Sequence, residues 1–207
     1  MKIPFHKAYI GDEEANAAAE VIRSGWLTMG EKTFRFESDF ASYTGASSAI
    51  ALNSCTAALH LALKVIGLKP GDEVIIPAMT FIATWEVVTY FGAVPVLADI
   101  QKESATVDPC SIEQKITPRT RAIIPVHYGG EACCMDEIMD IARRYNIHVV
   151  EDAAHALPTF YRGRMIGTIG DITCFSFYAT KTITTGEGGM ITTENNEMAE
   201  RIKRLRL

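Results

Sequence analysis

Between Glu73 and Asp152 the chain repeats one pattern: a short unbroken apolar run, a turn, then a stretch with apolar residues at helical spacing. The runs are Glu73-Val74-Ile75-Ile76, Val94-Pro95-Val96-Leu97-Ala98, Arg121-Ala122-Ile123-Ile124-Pro125-Val126 and His148-Val149-Val150. None alternates apolar with polar, as a strand with one wet face would, so each predicts a strand buried on both sides. The segments between them predict helices: about Thr80 to Phe91 closed by Gly92, a short one from Pro109 behind Asp108, and one with Met135, Ile138, Met139 and Ala142 on its face. Strands that alternate with helices build an α/β domain, a mostly parallel sheet covered by helices on both faces. No GxGxxG follows the first strand, which disfavours a dinucleotide-binding domain.

The flanking segments fit the same plan. Gly11 to Ser24 predicts a helix capped by Asp12 and closed by Gly25. A loop, Trp26-Leu27-Thr28-Met29-Gly30, leads to a second helix with Phe36, Phe40 and Tyr43 on one face and Gly45 as its stop. Asn195 to Leu207 predicts a last helix with Met198, Ile202 and Leu205 on one face, and no stop signal follows it. No internal repeat, low-complexity tract or linker divides the 207 residues, so one domain is expected. A hydrophobic share of 48% supplies its core, and a net charge of −5 offers no basic footprint for nucleic acid. No apolar run is long enough to cross a membrane, and the first six residues lack the apolar centre of a signal peptide. Five cysteines, two of them adjacent at Cys133-Cys134, show no disulfide framework. His127 stands nearby without metal-ligand spacing, so no metal site is expected, and a reducing cytoplasm is the expected compartment.

Three stretches carry chemistry. The first, Ile172 to Ile191, opens with the strand-like run Thr173-Cys174-Phe175-Ser176-Phe177 and reaches a single lysine, Lys181, among hydroxyl residues before the turn Gly186-Glu187-Gly188-Gly189. A lysine at the mouth of a buried strand suits covalent carbonyl chemistry through its amine, although an exposed lysine in a β-turn fits the local pattern as well. In the second, Ala49-Ile50-Ala51-Leu52 turns through Asn53-Ser54-Cys55-Thr56 into a helix with Leu59, Ala62, Leu63 and Ile66 on one face. Free backbone N–H groups at such a turn can hold an anion, while plain capping by Ser54 or Thr56 explains the same residues. The third is Asp152, at the carboxyl end of a strand, where ligands of open α/β sheets collect. An anion cup, a carboxylate and an amine in this order are the parts that pyridoxal phosphate needs, with Phe81 or Trp85 to cover the ring.

The order and wording of these segments resemble the DegT/StrS-type sugar aminotransferases, pyridoxal-phosphate enzymes of fold type I. The resemblance rests on GWLTMGEK at 25–32, NSCTAALHLAL at 53–63, PGDEVIIPAMTFIAT at 70–84, IIPVHYGG at 123–130, VVEDAAHAL at 149–157 and FSFYATKTITTGEGGMI at 175–191. It implies that Lys181 is the Schiff-base lysine and the group that moves the proton between the substrate carbon and the cofactor. Asp152 would bind the pyridine nitrogen, and His155 the ring hydroxyl. Cys55 and Thr56, with Ser176, would hold the phosphate, and Phe81 would stack on the ring. Cys55 stands where other members have glycine or alanine. Trp26, Thr28 and Gly30 would face a nucleotide-sugar substrate. The implied reaction moves an amino group from an amino-acid donor, glutamate, to a keto-sugar nucleotide in surface polysaccharide or deoxyaminosugar synthesis, and members work as homodimers. A dehydratase branch of the same family carries histidine in place of the lysine, so Lys181 favours transamination. The family continues into a smaller C-terminal domain that 1–207 would lack, which leaves open a second reading: a catalytically impaired homologue that binds cofactor, sugar nucleotide or a regulatory partner.

Overall fold

A computed structural model describes residues 3–206. Seven strands form one sheet: β1 (Ser48–Leu52), β2 (Glu73–Pro77), β3 (Val94–Ala98), β4 (Thr120–Ile123), β5 (His148–Asp152), β8 (Ile172–Ser176) and β9 (Gly189–Thr193). Two further strands, β6 (Phe160–Tyr161) and β7 (Arg164–Met165), pair as a small hairpin. The sheet order is β1-β9-β8-β5-β4-β2-β3. From β8 to β3 every pairing is parallel, and β9 runs antiparallel to both its neighbours.

Seven α-helices accompany it: α1 (Asp12–Ser24), α2 (Glu31–Thr44), α3 (Cys55–Val65), α4 (Ile82–Thr89), α5 (Pro109–Gln114), α6 (Met135–Tyr145) and α7 (Asn196–Leu205). Because successive residues of a strand point to opposite faces, the sheet feeds two cores. Ile75, Ile123, Val149 and Phe175 pack on one face with Phe40 of α2, Ile112 of α5 and Ile138 of α6. Val74, Ile76, Val150 and Cys174 pack on the other with Leu59 and Leu63 of α3, Val87 of α4 and Ile202 of α7. Burial on both sides accounts for the unbroken apolar runs of β2, β4 and β5, but not for that of β3, an edge strand that leaves Val94 48% and Leu97 52% exposed. No helix among the described residues is long and apolar enough to cross a membrane.

Local chemistry explains where the elements begin and end. Pro95 is tolerated in β3 because β3 is an edge strand with one neighbour. Pro125 ends β4 early, at Ile123 and not Val126, and the chain resumes contact through the Val126–Asp152 bridge. The cap of α1 is Gly11, whose N–H donates to Glu14 Oε2 at 2.7 Å, so Asp12 is the first helical residue and not the cap. On α2, Phe40 is buried but Tyr43 is 58% exposed; Glu37 and Thr44 take the inner positions. Glu37 accepts from Ala51 N–H at 2.8 Å and pairs with Arg206 beyond α7, which ties α2, β1 and the last described turn together. On α7, Ala199 and Ile202 are buried while Leu205 is exposed, and Leu207 lies outside the described residues. The helix α1 buries none of its residues.

Candidate active site

The parallel strands deliver their carboxyl ends to one edge of the sheet. Asp152 is the last residue of β5 and 5% exposed. Its Oδ2 accepts from Thr84 Oγ1 at 2.8 Å and its Oδ1 from Ala154 N–H at 3.1 Å. In the sheet Asp152 lies opposite Cys174 of β8, whose carbonyl accepts a long contact of 3.7 Å from Cys55 Sγ. Two residues further along β8, Ser176 pairs with Gly189 of β9. Gly189 in turn lies against the turn that starts α3: a Cβ there would stand 2.4 Å from Ser54 C and O and 2.7 Å from Cys55 N. The acid, the end of β8 and the start of α3 are therefore linked through direct contacts.

The first turn of α3 is only partly capped. Ser54 is its cap, with Oγ accepting from Ala57 N–H at 3.0 Å. That satisfies one donor of the first turn, and among the described residues no acceptor meets the N–H of Cys55 or Thr56. Two free amides at the positive end of an eleven-residue helix favour an anion. Ser54 thus does the capping, and the Cys55 and Thr56 amides remain for a ligand.

Lys181 sits on the loop between β8 and β9. The loop is closed at its base, where Phe177 N–H donates to Gly188 O at 2.9 Å and Thr185 N–H to Phe177 O at 3.0 Å. Thr184 Oγ1 adds a bond to Phe177 O at 2.9 Å, and Lys181 N–H donates to Tyr178 O at 2.9 Å. The Thr184 and Thr185 hydroxyls are thus staples of the loop. Among the described residues the Lys181 amine has no carboxylate partner.

Burial and neighbouring charges act on the titratable groups here. Burial, then the Asp152 charge, pushes the Cys55 thiol well above its ordinary pKa, against the pull of Lys181. Burial and Asp152 do the same to Cys174. Both remain thiols at neutral pH, so neither is a nucleophile. Burial, then Lys181, holds the His155 imidazole below its ordinary pKa, against Asp152. His155 Nδ1 accepts from Gly129 N–H at 3.4 Å, which leaves the neutral ring a donor at Nε2. Its ring lies edge-on to Tyr128, with centroids 5.9 Å apart.

Phe81, at the cap position of α4, is 76% exposed and free to cover a flat ligand. Trp85 is 42% exposed one turn later. Trp26, Thr28 and Gly30 stand elsewhere: they line a cleft of about 910 Å³ between α1 and α2, with Phe34, Lys32 and Arg35. Trp26 Nε1 donates to Met29 O at 3.1 Å, and its indole lies so close to Gly30 that a Cβ there would meet Cδ1 at 2.7 Å. No group of three or more potential metal ligands occurs among the described residues.

Sequence reasoning assigned no role to Thr80, Thr84 or Gly189. The first two were legible as hydroxyls one helical turn apart in Thr80-Phe81-Ile82-Ala83-Thr84. His127 and Glu151 were also left without a role. They form a fully buried pair behind the acid, His127 Nε2 to Glu151 Oε2 at 2.9 Å. Cys133 N–H donates to His127 Nδ1 at 3.1 Å, so the imidazole proton is on Nε2 and faces Glu151.

An amine, a buried carboxylate and two unpaired amides at a helix N-terminus are the fittings for pyridoxal phosphate, and the residues present fit it. Known proteins agree. The profile of the DegT/DnrJ/EryC1/StrS aminotransferase family matches residues 8–207. An uncharacterized protein of Methanocaldococcus jannaschii is 55% identical over 205 residues, 99% of this chain and 53% of that protein. The spore coat polysaccharide biosynthesis protein SpsC of Bacillus subtilis is 50% identical over the same shares. The chain thus spans about half the length of the curated relatives it matches. Among solved structures, a Streptococcus pneumoniae protein in its PLP form superposes with a TM-score of 0.94 at 39% identity, covering 99% of this chain and 58% of that one. An aminotransferase of Psychrobacter cryohalolentis gives 0.93 at 37% identity, with 97% and 52% covered. Pyridoxal phosphate is the cofactor of this group of enzymes, and the S. pneumoniae protein has been solved in its PMP form as well. The chain belongs to the DegT/DnrJ/EryC1/StrS aminotransferase family.

Proposed function

We propose that the chain is the cofactor-binding part of a pyridoxal-phosphate aminotransferase that moves an amino group from an amino-acid donor, glutamate, to a keto-sugar nucleotide. The observation that carries this is the link from Asp152 through its sheet partner Cys174 to Cys55 and the unpaired amides at the start of α3, with Lys181 on the loop that follows β8. The kinship with a spore coat polysaccharide protein supports synthesis of a surface polysaccharide or deoxyaminosugar. The protein would act as a homodimer in the cytoplasm.

When bound, the cofactor supplies an electron sink for the bond-breaking at the amine-bearing carbon. Lys181 would be its covalent anchor, and its amine would serve as the base that moves the proton at the amine-bearing carbon. Asp152, held by two donors, would face the ring nitrogen and keep it protonated. The amides of Cys55 and Thr56, with the Ser176 hydroxyl, hold the phosphate. His155 donates from Nε2 to the ring oxygen, and Phe81 covers one face of the ring. Trp26, Thr28 and Gly30 line a separate cleft between α1 and α2, and they would contact the nucleotide-sugar only where it extends into that cleft.

The test is an absorbance spectrum of the 207-residue chain with pyridoxal phosphate, followed by borohydride reduction and peptide mapping. A near-visible band with the label fixed on Lys181 is expected, and addition of glutamate should bleach it. A folded chain that takes no label at Lys181 would refute the cofactor assignment.

A further inference from the structure

Thr84 lies within α4 and is 0% exposed. A helical threonine commonly spends its hydroxyl on a carbonyl of the preceding turn. Here the hydroxyl proton goes to Asp152 Oδ2 at 2.8 Å. A carboxylate only accepts, so Thr84 is the donor and its lone pairs face Thr80 Oγ1, 2.7 Å away. The result is a directed chain, Thr80 to Thr84 to Asp152, from the half-buried start of the helix to the buried acid. Ala154 N–H donates to the other carboxylate oxygen at 3.1 Å. The terminal torsion of an aspartate is otherwise broad. One donor on each oxygen fixes the plane of the group.

We propose that Thr84, backed by Thr80, is the positioning residue that aims the Asp152 carboxylate at the ring nitrogen of the bound cofactor. The inference rests on the cofactor reading given above. It also explains why the acid and the covering aromatic belong together: Phe81 caps α4, Thr80 stands just before the cap and Thr84 lies in the first turn, so the start of α4 sets the ring face and the carboxylate plane as one unit.

The charged and titratable groups that share the acid's surroundings are Cys55 from α3, Cys174 from β8, His155 after β5 and Lys181 from the β8–β9 loop. All four remain in a Thr84 variant, so a change at Asp152 isolates the hydroxyl. Thr84→Val keeps the side-chain shape and removes the donor; Thr84→Ser keeps the donor. The experiment is a carboxyl-carbon NMR titration of the 207-residue chain labelled at aspartate, without cofactor, with the Asp152 signal identified by its loss in Asp152→Asn. Loss of one hydrogen bond to the ionised form should raise the Asp152 midpoint in Thr84→Val by about one pH unit, a tenfold change in its protonation constant. Thr84→Ser should stay at the parental midpoint, and Thr80→Val should move it up by less. With cofactor added, retention of pyridoxal phosphate should weaken in Thr84→Val by about tenfold and recover in Thr84→Ser. Equal midpoints in the parent and Thr84→Val would overturn the proposal. A parent chain that retains no pyridoxal phosphate refutes the cofactor reading and with it the aim at a ring nitrogen, whatever the midpoints do.

Discussion

Gly189→Ala is the substitution that tests how the anion cup is held. A methyl group there would stand 2.4 Å from Ser54 C and O and 2.7 Å from Cys55 N, all backbone atoms that cannot turn aside as a side chain would. Either β9 shifts outward, against its antiparallel bonds to β1 and β8, or the first turn of α3 moves. Overpacking of this kind costs about 1–3 kcal/mol. Replacing glycine also stiffens the unfolded chain, which returns about 0.4–1 kcal/mol. The net loss is about 0–2.6 kcal/mol, and its middle value of about 1.3 kcal/mol lowers Tm by about 3–5 °C for a domain of this size. Thermal and urea denaturation measure the stability, and pyridoxal phosphate retention measures the cup. The control is Gly45→Ala, at φ +80° with nothing within 4 Å, which strains the end of α2 far from the site. It should lose stability without losing cofactor affinity, whereas Gly189→Ala should lose both. A Gly189→Ala chain with parental Tm and parental retention would refute the close approach of β9 to α3 as the reason for that glycine.

Ser54→Ala removes the side-chain cap of α3 and should cost about 0.5–2 kcal/mol in urea denaturation. Glu151 gives the pH dependence. Burial would raise its carboxyl, but the bonds from His127, Thr173 Oγ1 and Gly170 N–H outweigh it and hold the pKa below the ordinary value. Its contribution is therefore full above the unfolded-state value of about 4.3 and is lost as the pH falls through the folded value. Glu151→Gln should lower stability at pH 7 by about 1–3 kcal/mol, since its NH2 group must face either the Nε2 proton of His127 or the N–H of Gly170, and should flatten the acid limb of the stability–pH curve. Equal acid slopes in parent and variant would count against it. Lys181→Ala should abolish the borohydride-fixed label and turnover. Asp152→Ala should retain some cofactor yet lose proton abstraction, read as retained absorbance with no bleaching by glutamate.

The layered α/β plan was legible because strands buried on both faces leave apolar runs that no other arrangement produces, as in Glu73–Pro77 with all five residues buried. Helix ends marked by left-handed glycines, Gly25 and Gly45, were equally readable. The hairpin β6–β7 was not, because two-residue strands carry no period to detect. The antiparallel setting of β9 was hidden for another reason: Gly189–Thr193 is fully buried, and direction within a buried sheet leaves no mark on an apolar run. Tyr43 misled because its spacing from Phe36 and Phe40 is helical, yet the inner side of α2 at that turn is taken by Thr44. Lys181, Asp152 and the Ser54–Thr56 turn stood out as residue types unusual in their local setting. Thr84 and Gly189 did not, since a threonine in a helix and a glycine before a strand are ordinary until the groups they touch are known.

The two adjacent acids at the end of β5 show why the site needs the fold around it. A strand turns Glu151 and Asp152 to opposite faces. Glu151 goes into the layer beneath the β8 edge, where three donors meet it and His127 seals it from solvent. Asp152 goes to the face of α3 and α4, where Thr84 and Ala154 supply one donor to each oxygen and leave further lone pairs open. His127 joins the two sides: its side chain binds Glu151, and its backbone N–H donates to Asp152 O at 3.1 Å. Moving the register of β5 by one residue would exchange the acids and place a carboxylate with no Thr84 partner at the site. The satisfied acid locks that register. Truncating it should therefore disturb the cofactor site as well as the stability, even though its carboxylate never reaches the ligand.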